Sequence, residues 1–399
     1  MSASFNLEKT YHFLLAALAF FLPLTVFGAN FVIVLICLFW IFSGEYKIKF
    51  RKIKQSKLMI ASVMFFLIHV LGLIWTEDLR WGLHVTHKMW YFIGLFPILF
   101  TIVKRDQFRI YISIFLFAIL ITEVLSYLIW FELIEPFKNA TLSNPTPFMS
   151  HISYNPILAF AIYLVGHETL FNKQVTLLKK SFLIFFTFSM SINMFITGGR
   201  AGQVMFFAVI ILLIFQYFNK NKVIAAFVAL FVSSSIFFTA YQTSEIFHDR
   251  VNDAVLNIAN YETNKKTSVG LRITFALNSF EVIKNNLLLG VGTGDLPSEY
   301  IKVNQINTPS LPSTTNPHNM YILVLVQNGM LGLFGLLLIF YFQIKLSLGL
   351  NDKFFRDVGI SLPILFLLIM MSESYLLGHF TSLLYIFFSS FLYQEIEKN

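Results

Sequence analysis

RIYISIFLFAILITEVLSYLIWF, residues 109–131, decides the fold class. After Arg109 it carries one charged residue, Glu123, and it exceeds the roughly 20 apolar residues that cross a bilayer. Apolar stretches at 11–27, 29–43, 58–75, 89–103, 153–171, 181–197, 202–218, 222–241, 319–346, 358–375 and 377–394 extend the pattern. The composition agrees: with 57% hydrophobic and 13% charged residues, too few polar side chains remain to cover a water-facing surface. The 48 phenylalanines supply bulk without polar atoms, suited to lipid or to contacts between helices. The expected fold is therefore an all-α polytopic membrane protein of about twelve transmembrane helices, forming a single membrane domain over residues 1–399. The first segment resembles a signal peptide, since only Lys9 precedes a run ending at Phe27-Gly28-Ala29. It reads as uncleaved, because cleavage would reverse the later segments relative to their charges.

The net charge of +8 would suggest nucleic acid in a soluble chain, but here basic residues are first topology signals. No nucleic-acid partner is expected. Tyr46–Lys57 alone holds Lys47, Lys49, Arg51, Lys52, Lys54 and Lys57. With that segment cytoplasmic, nineteen of the 29 basic residues share its face, Lys398 among them, and the opposite short loops hold only Arg80, Lys88, Lys138 and Arg200. Both termini then lie inside, and the polar segment 242–317, between the ninth and tenth helices, faces outward. Within it Gly270–Asn286 places Ile273, Ala276, Leu277, Phe280 and Ile283 at helical spacing, which predicts an amphipathic helix over about 270–286 lying on the bundle or the interface. Gly290-Val291-Gly292-Thr293-Gly294-Asp295 ends that helix in tight turns. The lone Cys37 lies in an apolar run, so neither a disulfide framework nor a thiolate metal site is expected.

Three features of the outer face could carry chemistry. Thr197-Gly198-Gly199-Arg200-Ala201-Gly202-Gln203 is a tight turn centred on an arginine; its small neighbours expose guanidinium and backbone N–H groups, a donor set suited to phosphate oxygens. An ordinary loop arginine at lipid headgroups would look the same. Arg272 opens the amphipathic helix, where an arginine is commonly part of a solvated face. Asn316-Pro317-His318-Asn319-Met320-Tyr321 ends the loop and starts the tenth segment. His318 stands near enough to water to titrate and to accept a hydroxyl proton, or it serves as a helix cap or interface anchor.

Together these resemble the O-antigen ligase and polymerase superfamily: the Arg200 turn, Leu271-Arg272 leading into Asn285-Asn286 and Gly290–Gly294, then His318-Asn319 followed by Gln327-Asn328-Gly329-Met330-Leu331-Gly332. Gln327 departs from a pattern that often has an acid there. The resemblance implies a bacterial inner-membrane glycosyltransferase that moves a glycan from undecaprenyl diphosphate to an acceptor hydroxyl on the periplasmic side. For the ligase branch the acceptor is the lipid A-core oligosaccharide. It implies His318 as general base and Arg200 and Arg272 as diphosphate ligands, with Asn319 and Gly199 supporting, and no metal or cofactor. Asp295 and Glu299 are separated in a glycine-proline loop, unlike a Mg²⁺-binding acidic cluster.

Other groups are less ordered by sequence. His84 and His87, beside Trp81 and Trp90, lack a third metal ligand and read as an aromatic-anchored interfacial helix. Glu123, His69, Glu373 and His379 lie in or near membrane segments, where ionisable groups are costly. Glu373 or His379, near the outer end, could meet the diphosphate or the acceptor. His151 and Tyr154 are acceptor contacts or interface anchors. Two further activities fit: a polymerase extending the lipid-linked glycan, and a transporter or flippase. Against transport, midplane charges are scarce, the halves differ and the distinctive residues gather at one surface.

Overall fold

The computed structural model describes residues 7–394, which excludes Lys398 and the chain ends. Among the described residues the structure is helical and has no strand: α1 (Leu7–Phe21), α2 (Val26–Phe42), α3 (Tyr46–Gln55), α4 (Lys57–Leu71), α5 (Leu79–Lys88), α6 (Trp90–Ile93), α7 (Leu95–Ile102), α8 (Phe108–Trp130), α9 (His151–Phe171), α10 (Leu177–Phe195), α11 (Arg200–Tyr217), α12 (Lys222–Thr243), α13 (Glu245–Ala259), α14 (Ser268–Asn285), α15 (Leu296–Asn307), α16 (Met320–Leu348), α17 (Lys353–Ile369) and α18 (His379–Leu392). Each of the twelve apolar stretches falls on one or more of these helices. By length and composition, four segments could cross a membrane: Arg105–Trp130, Arg200–Tyr217, Lys222–Thr243 and Met320–Leu348. There are up to six if two bent pairs, α2 with α3 and α5 with the α6–α7 segment, each count as one span. This is a polytopic helical membrane protein.

Most of the basic segment, Tyr46–Gln55, is a helix of its own, and Lys57 begins the next. Gly44 and Glu45 adopt φ of 67° and 54°, a left-handed pair that ends α2, and α3 turns away at 113°. Lys49 folds back at the elbow, its Nζ donating to the Trp40 carbonyl at 2.7 Å and the Ser43 hydroxyl at 2.6 Å.

The chain divides into two compact units. The first comprises the described residues up to Ile36, Lys104–Asn252 and Leu350–Leu365. Its centre is α9, buried without a break from Tyr154 to His167, as befits a helix enclosed on all sides. The close approach of α11 follows from Gly202, where an added Cβ would lie 2.1 Å from Asn155 Cβ and 2.6 Å from the Asn155 carbonyl carbon.

The second unit comprises Cys37–Val103, Asp253–Gly349 and the described residues from Phe366. Its innermost helix is α18, buried from Thr381 to Leu392. Here α16 is interrupted at Gly329, with φ 60° and ψ −156°. The Val326 and Gln327 carbonyls accept instead from the N–H groups of Val291 and Gly292, at 2.8 and 3.0 Å, while the Met330 and Leu331 N–H groups donate to the Leu287 and Leu288 carbonyls. The glycine loop after α14 thereby replaces the lost helical hydrogen bonds. Thr293 ties the same loop to α4, its N–H donating to the Gly72 carbonyl and its hydroxyl to the His69 carbonyl. Asp295 accepts from the Glu77 and Asp78 N–H groups, both at 2.8 Å.

The expected amphipathic segment is α14, and its buried face mixes polar with apolar side chains while Glu281, Lys284 and Asn285 stay exposed. Thr274, Asn278 and Ser279 are buried beside Phe275, Val282 and Ile283, whereas Leu277 and Phe280 are exposed. Asn278 Nδ2 meets the Thr308 hydroxyl at 2.8 Å and the Tyr300 hydroxyl at 3.2 Å.

Gly329→Ala should destabilise the protein by about 3 kcal/mol, because φ 60° with ψ −156° admits glycine almost alone. The new Cβ would also lie 2.4 Å from the Leu288 carbonyl carbon. Gly335→Ala, in the same helix, meets mainly the end of the Ile68 side chain and should cost much less. Thermal unfolding of the two detergent-solubilised variants checks the contrast; equal melting temperatures would contradict it.

Candidate functional site

His318 stands in a strained turn. Its φ is 53°, a left-handed conformation that costs a non-glycine residue on the order of 1 kcal/mol. The turn is held by Asn316, whose Oδ1 accepts from the His318 N–H at 2.9 Å and from the Ser374 hydroxyl at 2.9 Å. Asn316 Nδ2 donates to Glu373 Oε1 at 2.8 Å, and His318 Nδ1 lies 2.6 Å from Glu373 Oε2. Burial opposes the charge on Glu373, but hydrogen bonds from His318, the Ser374 N–H and Asn316, with the attraction of His318, outweigh it and hold the carboxyl below its usual range. A carboxylate on Nδ1 keeps the proton there and leaves Nε2 with its lone pair, so Nε2 can accept a proton.

The apolar run 358–375 suggested a membrane segment reaching Tyr375, but α17 ends at Ile369. The chain turns because α16 caps it: the Met320 N–H donates to the Met370 carbonyl and Asn319 Nδ2 to the Met371 carbonyl. Glu373 thus lies in the connection between α17 and α18. Asn319 is occupied as the helix cap, its Oδ1 accepting from the Tyr321 and Ile322 N–H groups at 3.0 and 3.1 Å.

Arg272 approaches the same locality from α14. Phe275 is three residues on, so the two share a helix face, and its ring stacks on His318 with centroids 6.2 Å apart and 22° between planes. Buried Tyr375 feels the charges of both Glu373 and Arg272. Among the described residues no carboxylate pairs with Arg272. The start of its helix is well anchored: Thr267 caps α14 by accepting from the Gly270 N–H at 3.0 Å.

Arg200 belongs to the first unit, as the first residue of α11. Four side chains fix the turn before it. Asn144 Oδ1 accepts from the Gly198 N–H at 3.0 Å, and Asn155 Nδ2 donates to the Gly199 carbonyl at 3.3 Å. The Thr197 hydroxyl donates to Asn155 Oδ1 at 2.8 Å, and Gln203 Nε2 to the Thr197 carbonyl at 3.1 Å. Gly199 has no room for a side chain, since a Cβ there would lie 2.6 Å from Asn155 Nδ2. No side chain caps α11, and while the Arg200 N–H donates to the Gly198 carbonyl at 3.1 Å, the Ala201 and Gly202 N–H groups of the first turn carry the helix start's partial positive charge.

Of the remaining sequence candidates, Tyr154 is buried with its hydroxyl on Asn193 Oδ1 at 2.9 Å. His151 is half-buried, and burial with the charge of Arg250 holds its imidazole below the usual range. His379 Nδ1 meets the Tyr91 hydroxyl at 2.7 Å. His84 packs on Trp81, ring centroids 5.0 Å apart. The pairing of Glu373 with His318, across 55 positions, was not legible in the sequence, which presents Glu373 as an isolated acid after an apolar run. Asn144 and Asn155 carry no local signal for their role either.

Residues 185–337 match the O-antigen ligase family model, so this part of the chain is similar to that family. The match spans the Arg200 turn, Arg272, His318 and the break at Gly329. Glu373 lies beyond it, so its place beside His318 is a finding of the structure alone. No curated protein matches the chain.

The depressed Glu373 carboxyl carries a pH signature. A group whose folded value lies below its unfolded one stabilises the fold above the unfolded value, about 4.3 for glutamate. That contribution is lost as pH falls through the folded value. Wild type should therefore exceed Glu373→Gln in stability by on the order of 1 kcal/mol at pH 7, and the gap should close below pH of about 4. Melting curves of both proteins across pH test this; a gap that widens on acidification would contradict it.

Proposed function

We propose that this chain is a glycosyltransferase of the ligase type, moving an O-antigen or related glycan from undecaprenyl diphosphate to a lipid A-core hydroxyl at the periplasmic face of the bacterial inner membrane. The observation that carries the reading is the His318–Glu373 pair at 2.6 Å, which prepares Nε2 as a base beside a guanidinium-bearing helix. The topology that goes with it has twelve crossings, both termini cytoplasmic and residues 242–317 facing outward, as the distribution of basic residues supports.

In the proposed reaction His318 Nε2 takes the proton of the acceptor hydroxyl as its oxygen bonds to C1 of the donor sugar. The bond from C1 to the diphosphate oxygen breaks, its electron pair leaving with the diphosphate, and the configuration at C1 inverts. Arg200 and Arg272 stabilise the charge that gathers on the leaving oxygens, which two permanent guanidinium charges can do without a metal. Glu373 fixes the imidazole ring and stabilises the imidazolium that forms. The strained φ of His318 and the Asn316 hydrogen bonds hold the ring before substrate arrives, so less reorganisation is needed during transfer.

Purified protein supplied with both lipid-linked substrates should transfer glycan, His318→Ala should abolish transfer while remaining folded, and Glu373→Gln should lower kcat by about 10²-fold. Full activity in His318→Ala would end the assignment. In a deletion strain the ligase reading expects long glycan stranded on its lipid carrier. Single repeats transferred to core would instead identify a polymerase.

A further inference from the structure

Arg250 lies outside the motifs that suggested the reaction, yet the fold brings it to the same turn as Arg200. Its helix, α13, is anchored from the side that faces α10. Phe247 is buried and packs edge-on to Phe195 at 5.0 Å and to Phe237 at 5.5 Å. The Ser244 hydroxyl donates to the Phe195 carbonyl at 2.7 Å and accepts from the Phe247 N–H. Further along, the Tyr241 hydroxyl donates to Asn252 Oδ1 at 2.8 Å. Arg250 is three residues after Phe247 and so shares its face, which sets it over the turn that follows α10.

The guanidinium reaches the backbone there. A Cβ on Gly198 would lie 3.2 Å from Arg250 Nη2 and 3.3 Å from Nε, and 3.0 Å from Asn144 Oδ1. Glycine therefore leaves a shallow place where a guanidinium and the peptide plane meet, two residues before Arg200. His151 is near enough to feel the charge of Arg250. Among the described residues no carboxylate or hydrogen-bond acceptor is paired with Arg250, although Asp249, one position before it, pairs with His248. A half-buried permanent cation without a counter-charge, beside an imidazole and an uncapped helix start, has the chemistry of an anion site.

We propose that Arg250 binds one phosphoryl group of the donor diphosphate, forming with the Gly198–Arg200 turn a subsite that Arg200 does not complete alone. This rests on the glycan-transfer reading above and adds a ligand to it. The planar fork of Arg250 takes two phosphoryl oxygens, and the Ala201 and Gly202 N–H groups at the start of α11 serve the same anion.

The test uses the full chain in phosphatidylcholine nanodiscs, titrated with inorganic pyrophosphate and followed by calorimetry. Wild type should bind, Arg250→Ala should bind at least tenfold more weakly, and Arg250→Lys should fall between, because an ammonium keeps the charge and loses the fork. His318→Ala should bind like wild type. Unchanged melting temperatures would assign the loss in Arg250→Ala to the ligand and not to folding. Pyrophosphate binding that is absent in wild type, or equal in wild type and Arg250→Ala, would overturn the subsite. Displacement of pyrophosphate by phosphatidylglycerol nanodiscs, with the same dependence on Arg250, would make this a phospholipid headgroup site and overturn the diphosphate assignment. Arg250-dependent binding in a protein that transfers no glycan would keep the subsite and remove the transfer reading. Transfer that needs His318 but shows wild-type donor KM in Arg250→Ala would do the reverse.

Discussion

A helix in hydrocarbon cannot leave backbone N–H and C=O groups unpaired, and the second unit is organised around a place where a long apolar helix opens. At Gly329, about ten residues or roughly 15 Å into α16, two carbonyls and two N–H groups lose their helical partners and find them in residues 287–292. The glycine loop is thus a stretch of backbone that completes α16. Through Thr293 and Asp295 it also holds the end of α4 and the segment after it. The helix that starts at Asn319 and the helix that carries Arg272 become parts of one body, and His318 is mounted directly before the first of them.

That mounting explains why a histidine can occupy a left-handed turn. Asn316, Ser374 and Glu373 form a closed set of hydrogen bonds around it, and the α16 cap pulls the Met370–Met371 backbone into place so that Glu373 can reach Nδ1. Charge-assisted hydrogen bonds are worth more than neutral ones, and here they offset the cost of the strained φ. In the first unit the same economy of close approach is made with glycine. Gly199 and Gly202 let α11 touch the Asn155 backbone and side chain, and Asn155 then spans the turn that presents Arg200.

The second unit buries polar side chains that find partners within it. The helix α14 turns Asn278, Thr274 and Ser279 inward and leaves Leu277 and Phe280 outside. Its apolar spacing is plain in the sequence, but spacing alone does not say which face meets protein. Asn278 finds partners in the Tyr300 and Thr308 hydroxyls, so its side of the helix is buried together with Phe275, Val282 and Ile283.

The amino-acid sequence by itself determined the solvent, the helical class, the places where helices run and the three residues worth testing, because apolar run length, charge asymmetry and short motifs are local quantities. It also marked the glycines at 290–294 as the end of a helix. Only the tertiary structure decided that α16 opens at Gly329 and that the glycine loop mends it, that α17 stops before Glu373, that Glu373 answers His318, and that Arg250 comes to Gly198. Each of those is a pairing of residues far apart in the chain. Which donor meets which acceptor depends on how the helices pack, and no local pattern encodes that.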